Sequence, residues 1–236
     1  MTTSPDGPIA PKHPVTRFLR NNGLTLVVLG LFAVTLVGQI FSGLLELNAA
    51  QQEHGDVAIS LLEYLGTGHF REAIFENWES EFLQMGMYVL LTIWLRQKGS
   101  PESKKLDEPE EVDADPKQHR NDRDAPWAVR KGGLTLAIYQ SSLSIAFFAM
   151  FIISLLLHAN GGAAEFNSDQ AAHGSTLALT TWQYMTTSRF WFESFQNWQS
   201  EFLSIGAIVY LSVYLRQRGS PESKAVHAPH AQTGSG

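Results

Sequence analysis

The sequence predicts an all-α membrane protein: four transmembrane helices in a tandem, parallel-oriented two-span repeat, with short interfacial helices on the outer side. Three observations carry this expectation. First, two apolar runs without a charge, Leu24 to Leu45 (22 residues) and Leu134 to Leu157 (24 residues), are long enough to cross a hydrocarbon core, which needs about 20 helical residues. Second, FENWESEFLQMG (75–86) and FQNWQSEFLSIG (195–206) each open a further apolar segment and are nearly the same. Third, fifteen of the 17 Lys and Arg fall in the N-terminus, the central linker and the C-terminus.

Average composition hides this pattern. The 236 residues are 44% hydrophobic and 17% charged, with net charge -6 and a mean hydropathy of -0.08, values that fit a soluble domain. Apolar and charged residues are instead segregated along the chain. The absence of Cys excludes disulfides, thiolate catalysis and cysteine-bound metals. The first apolar run follows Arg17 and Arg20, as a secretory leader would, but it exceeds the roughly 7–15 residues of a leader's apolar core. Its counterpart at 134 is internal, so both read as spans.

The repeat sets the boundaries. Residues 57–104 align with 177–224 at a constant offset of 120, and LRQKGSPESK (95–104) matches LRQRGSPESK (215–224) at nine of ten positions. NGLTL (22–26) matches GGLTL (132–136) at an offset of 110, which makes the second unit about ten residues longer and places the extra residues in a loop around GGAAEFNSDQ (161–170). The expected organisation is a disordered N-terminus (1–16), unit one (17–104), a charged cytoplasmic linker (105–126), unit two (127–224) and a disordered C-terminus (225–236). Between the units, KLDEPEEVDADPKQHRNDRDA (105–125) is dense in charge and lacks aromatic residues, the composition of a flexible segment.

Within each unit the elements follow in order. The first span covers about 24–46, and its counterpart about 134–157. A polar loop leads to Ser60-Leu-Leu-Glu63 or Thr180-Thr-Trp-Gln183, both of the form S/T-x-x-E/Q that caps a helix start reciprocally. A short helix runs through Tyr64 or Tyr184 and breaks at GTG (66–68) or TTS (186–188). A longer helix begins near Phe70 or Phe190, spans about 76–95 or 198–215, and ends near Gln97 or Gln217, where Gly99, Pro101, Gly219 and Pro221 stop it. Only Arg71 and Arg189 lie in the loops after spans one and three, so the positive-inside rule places both termini and the linker in the cytoplasm.

The pattern FLRNNGLTL, HG, EYLGTGHF, FENWESEFLQMG and RQKGSPESK resembles a bacterial integral-membrane protein family, a domain of unknown function. The resemblance covers both units and implies a protein of the bacterial cytoplasmic membrane. It implies no activity, substrate or cofactor.

Candidate site residues come from depth and helical angle. With the inner hydrocarbon edge at Leu95, Glu81 stands about 21 Å above it in a core roughly 30 Å thick. The same ruler from Leu24 puts Gln39 at about 22 Å, so a hydrogen bond between Gln39 and Glu81 is expected. An offset of 110 gives Gln39 no polar equivalent, since it leads to Ala149. Asn77, Ser80 and Glu81 share a helix face and recur as Asn197, Ser200 and Glu201, whereas Glu79 points elsewhere and becomes Gln199, so its charge reads as dispensable. The aromatics Trp78, Trp198, Phe82 and Phe202 are expected in the outer interfacial belt.

Two functions follow as expectations. One is a non-catalytic structural or accessory membrane component, in which the recurring polar residues hydrogen-bond between helices. The other is a small proton- or cation-handling transporter or channel using Glu81 and Glu201. His54-Gly55 and His173-Gly174 recur but read as turns, and no P-loop, dinucleotide fingerprint, nucleophile elbow or H-E-x-x-H is present. No enzyme activity, cofactor, metal or nucleic acid is expected. The expected company is the lipid bilayer, with further copies of the chain or a membrane-protein partner.

Overall fold

In the computed structural model, residues 13–234 are described, the side chain of His54 excepted. They form eight α-helices: α1 (Pro14–His54), α2 (Leu61–Tyr64), α3 (Gly68–Trp94), α4 (Trp127–Lys131), α5 (Gly133–Tyr139), α6 (Ser142–Ala172), α7 (Thr181–Tyr184) and α8 (Ser188–Tyr214). No strand occurs among the described residues. Two helices, α1 and α6, are long and apolar enough to cross a membrane, with mean hydropathies of 2.3 and 2.2 over their most apolar stretches. The chain falls into two compact units, residues 1–66 and 67–236. That division differs from the sequence repeat, because α3 falls in one unit with α6 and α8, against which it packs.

The first compact unit is α1 with the turn and short helix that follow it. Pro14 opens α1, where its missing N–H costs nothing, and Gly55 ends it at φ 84 with its amide bonded back to the last turn. The chain then returns along the helix. Asn48 clamps this return with two hydrogen bonds to Ile59, its Nδ2 donating to the carbonyl (3.1 Å) and its Oδ1 accepting from the amide (2.7 Å). The Ser60–Glu63 capping box forms as expected and starts α2. Tyr64, buried at 1% exposure, lies over Gly43, where a Cβ would stand 2.0 Å from its hydroxyl.

The same local device recurs in the second unit. Asn167 clamps Leu179 with bonds of 2.9 and 2.7 Å, Thr180 and Gln183 form the capping box, and Tyr184 lies over Gly162. Pairing Asn48 with Asn167 and Gly43 with Gly162 gives an offset of 119 residues. This corrects the expected loop at 161–170, which is continuous helix within α6. Its Gly-Gly-Ala-Ala composition marks close packing: a Cβ on Gly161 would lie 2.4 Å from the Glu72 amide of α3. The extra residues enter earlier, where the expected 134–157 span is divided between α5, ending at Tyr139, and α6, starting at Ser142. There the Ser142 hydroxyl donates to the Tyr139 carbonyl (2.8 Å), offering the backbone a local alternative to helix.

Three helices build the core of the second unit. Successive contacts of Gly68 with Gly161 and Glu165, and of Gly86 with Phe147 and Phe148, run α3 antiparallel to α6. Those of Glu76 with Asn197, and of Gln84 with the Glu201 carbonyl (2.7 Å) and the Ser204 hydroxyl (3.0 Å), run α3 parallel to α8. Thr67 and Thr187 cap α3 and α8 through their hydroxyls.

The ends of α3 and α8 depart from expectation. They stop at Trp94 and Tyr214, three residues before Gln97 and Gln217. The reason is the SPES loop: the Ser103 and Ser223 hydroxyls accept the Gln97 and Gln217 amides at 2.9 Å, replacing helical partners. Gly99 and Gly219 (both φ 87) then make the turn itself.

Residues 225–234, where disorder is expected, make hydrogen bonds back to the end of the second unit and to the turn at Gly99. The Lys224 ammonium donates to the carbonyls of Pro229, His230 and Gln232, and the Gly99 amide donates to the Thr233 hydroxyl (2.9 Å). The expected N-terminal disorder falls mostly on residues 1–12, outside the described residues, and α1 already begins at Pro14. The linker carries two 3-10 turns, Glu111–Asp113 and Pro116–His119, and none of residues 105–125 is buried.

Candidate functional site

Glu72, Glu76 and Glu79 stand at i, i+4 and i+7 and so share one face of α3. That face meets His158 of α6 and Glu193 of α8. His158 and Glu79 are both fully buried, and His158 Nδ1 lies 3.0 Å from Glu79 Oε2. The other Glu79 oxygen accepts the indole N–H of Trp198 (3.2 Å). His158 Nε2 is also buried. It lies 3.5 Å from Glu193 Oε2, within ion-pair distance, and has no hydrogen-bond partner among the described residues.

Tyr184 and Arg189 complete the cluster. The Tyr184 hydroxyl lies 2.8 Å from Glu193 Oε2 and 3.2 Å from Glu72 Oε1. One phenolic proton cannot serve both acceptors, so the shorter contact takes it and the Glu72 oxygen faces the phenol lone pair. Arg189 donates from Nε to Glu193 Oε1 (2.8 Å) and approaches Glu72 at 3.7 Å. Asn197 donates to Glu76 and to the Glu193 carbonyl.

Electrostatics separate the two outermost acids. Burial, and next the neighbouring Glu193 carboxylate, push Glu72 up to about 7. A protonated Glu72 can donate to the Tyr184 oxygen, which suits the geometry above. Burial also acts to raise Glu193, but the approach of His158 and the hydrogen bonds from Arg189 and Tyr184 outweigh it and hold this carboxyl below the usual range. Four carboxylates, Glu72, Glu76, Glu79 and Glu193, thus share one guanidinium and one imidazole. The ligand atoms of Glu72, His158 and Glu193 lie within 4.8 Å of one another.

The residues singled out from sequence are placed as follows. Glu81 and Asn77 are exposed on α3, and Asn77 bonds to the Ala73 carbonyl of its own helix. Ser80 is buried and bonds to the Asn77 carbonyl, while Ser200 is exposed and bonds to the Asn197 carbonyl. Glu201 is half-buried and contributes its backbone carbonyl to Gln84. Gln39 is exposed on α1 in the other compact unit. Of the aromatics, Trp78 stacks edge-on to Phe75, Phe82 is half-buried, Phe202 is exposed, and Trp198 binds the cluster. Glu79, read from sequence as dispensable, is the carboxylate at the centre.

Sequence reasoning missed Glu72, Glu76, His158, Tyr184, Arg189 and Glu193 as site residues. The i, i+4, i+7 ladder of acids was the available signal, together with the His that closes the apolar run at Leu157. The model of a family described as a domain of unknown function (DUF6766) matches residues 15–235. No curated protein and no solved structure matches the chain.

Proposed function

The chain belongs to the DUF6766 family, a domain of unknown function that lends it no activity, and we propose that it is a four-span accessory protein of the bacterial cytoplasmic membrane, working through an ionisable centre at the outer ends of its helices. In this reading the four spans lie in α1, α3, α6 and α8, the termini and linker are cytoplasmic, and no catalysis is performed. The recurring Asn clamp, capping box and buried Tyr support an origin by duplication.

One observation carries the reading: the ionisable side chains of the three packed helices gather in one half. Residues 82–94, 142–157 and 202–214 contain no Asp, Glu, Lys, Arg or His. The half without ionisable groups joins the Lys- and Arg-rich segments, which assigns it to the inner side. Measured from Leu95 or Leu215 at about 1.5 Å per residue, Glu79 stands about 24 Å up, inside a core roughly 30 Å thick, and Glu72 and Glu193, at about 34 and about 33 Å, lie just beyond its outer boundary. Ionisable residues at such depth are expensive and serve a function by default. Their confinement to one half supports a one-sided centre over a path through the membrane. The transport alternative through Glu81 and Glu201 has less support, since Glu81 is exposed and no hydrogen bond joins the two side chains among the described residues.

The absence of Cys makes the topology directly testable. Single substitutions Lys98→Cys and Asp122→Cys are expected to resist an impermeant thiol reagent in intact cells, and Ser175→Cys and Thr186→Cys to react. Labelling of Asp122→Cys from outside would overturn the arrangement. Proteoliposomes holding the protein are expected to pass no more protons or cations than empty ones. A flux abolished by Glu81→Gln with Glu201→Gln would replace the accessory role with transport.

A further inference from the structure

The geometry points to a divalent-cation site formed by Glu72, His158 and Glu193, and we infer that it takes a transition-metal ion such as zinc, manganese or ferrous iron. Two independent observations carry this. The three ligand atoms, one from each of α3, α6 and α8, lie within 4.8 Å of one another. Separately, His158 Nε2 is a fully buried polar atom with no hydrogen-bond partner among the described residues, and it lies 3.5 Å from Glu193 Oε2.

The surroundings have the form of a metal site's outer shell. A ligating histidine almost always has its second ring nitrogen held by a carboxylate or carbonyl, which fixes the ring and raises its basicity. Glu79 does this for His158, with Nδ1 donating to Oε2 at 3.0 Å, and Trp198 fixes Glu79 in turn. Glu79 is therefore a positioning residue. Arg189 occupies Glu193 Oε1, leaving Oε2 3.5 Å from Nε2, and the Tyr184 hydroxyl donates to that carboxylate. Around a metal with bonds of about 2.1 Å the ligands stand about 3.4 Å apart, so Nε2 and Glu193 Oε2 at 3.5 Å already match, and rotation of the Glu72 carboxylate closes the set.

Donor type and charge define the ion. One imidazole nitrogen with two carboxylate oxygens, and no thiolate anywhere in the chain, suits borderline to hard divalent ions. A ligating His158 is neutral, so the four carboxyl groups face only the positive charge of Arg189, an imbalance that a divalent cation reduces. Three protein ligands leave a position for water. The proposed topology is needed only for the side of arrival, the outer aqueous phase; binding itself does not depend on it.

The test counts metal in the full-length protein in detergent. Stripped protein is equilibrated with zinc or manganese ions, and one ion per chain is expected. His158→Gln and Glu193→Gln should abolish that ion, and Glu79→Gln should weaken it by about 10–100-fold. His227→Gln with His230→Gln should leave it unchanged, which separates the site from the C-terminal histidines. Unfolding midpoints of the metal-free variants check that each is folded, and the less buried Glu193 decides if His158→Gln does not fold. Binding that survives Glu193→Gln, or no binding by the wild type, would overturn the inference. Either result leaves the topology reading to its own labelling experiment.

Discussion

Replacing Glu79 with Leu is expected to destabilise the protein by about 3–5 kcal/mol, the range for removing one partner of a buried polar pair. Glu79 is fully buried and accepts from two donors, the buried His158 Nδ1 and Nε1 of the half-buried Trp198. Leucine strands both, and each unsatisfied donor costs about 1–3 kcal/mol. Glutamine keeps an acceptor oxygen in place and should cost much less. Chemical unfolding in detergent, followed by tryptophan fluorescence, reports the change where it occurs, because Trp198 is itself a partner. A Leu variant within 1 kcal/mol of wild type would mean that the Glu79 hydrogen bonds do not hold the helices together.

Replacing Gly161 with Ala is expected to cost about 1–3 kcal/mol, as overpacking does in a close-packed core. The new Cβ would stand 2.4 Å from the Glu72 amide nitrogen and 2.9 Å from the Arg71 carbonyl carbon. Both are backbone atoms, so no side chain can swing away, and the start of α3 must move off α6. Glu72 moves with it, so the same substitution should weaken metal binding without touching a ligand. Gly206→Ala is the matched control. Nothing lies within 4 Å of its Cβ position on α8, so the helix-propensity gain should make that change neutral or stabilising. Equal effects at the two glycines would contradict the close approach of α3 and α6.

Local structure was largely legible in the sequence, and the site was not. Both capping boxes, the breaks before α3 and α8, and the turn glycines at 99 and 219 follow from residue chemistry at short range. The missed boundaries have a common cause: side chains supplied hydrogen bonds that a helix would otherwise have made. Ser103 and Ser223 end α3 and α8 early in this way, and Lys224 folds back the tail. Gly161 and Gly162 read as loop because small residues suit both a turn and a close helix contact, and only the neighbouring helix distinguishes them.

The site was hidden by the method that exposed the repeat. Comparing copies selects what recurs, and the cluster's acids and histidine differ between copies, although Tyr184, Asn197 and Trp198 recur as Tyr64, Asn77 and Trp78. At an offset of 120, Glu72, Glu76 and Glu79 face Phe192, Gln196 and Gln199, and Glu193 faces Ala73. At an offset of 119, His158 faces Gln39. The recurring Asn, Ser and Glu bond mainly within their own helices or lie exposed. The turns and clamps recur in both copies of the sequence pattern, whereas the cluster lies where α3 packs against α6 and α8.

The most direct test of that assignment sets two double variants side by side. Unfolding midpoints are measured with and without a saturating divalent cation for Glu81→Gln with Glu201→Gln, and for Glu72→Gln with Glu193→Gln. At a concentration of about 100 Kd, a ligand that binds only the folded state adds about 2.7 kcal/mol. The first variant should keep that stabilisation in full and the second should lose it. Loss in the first and retention in the second would contradict the account and return the cation to the recurring pair.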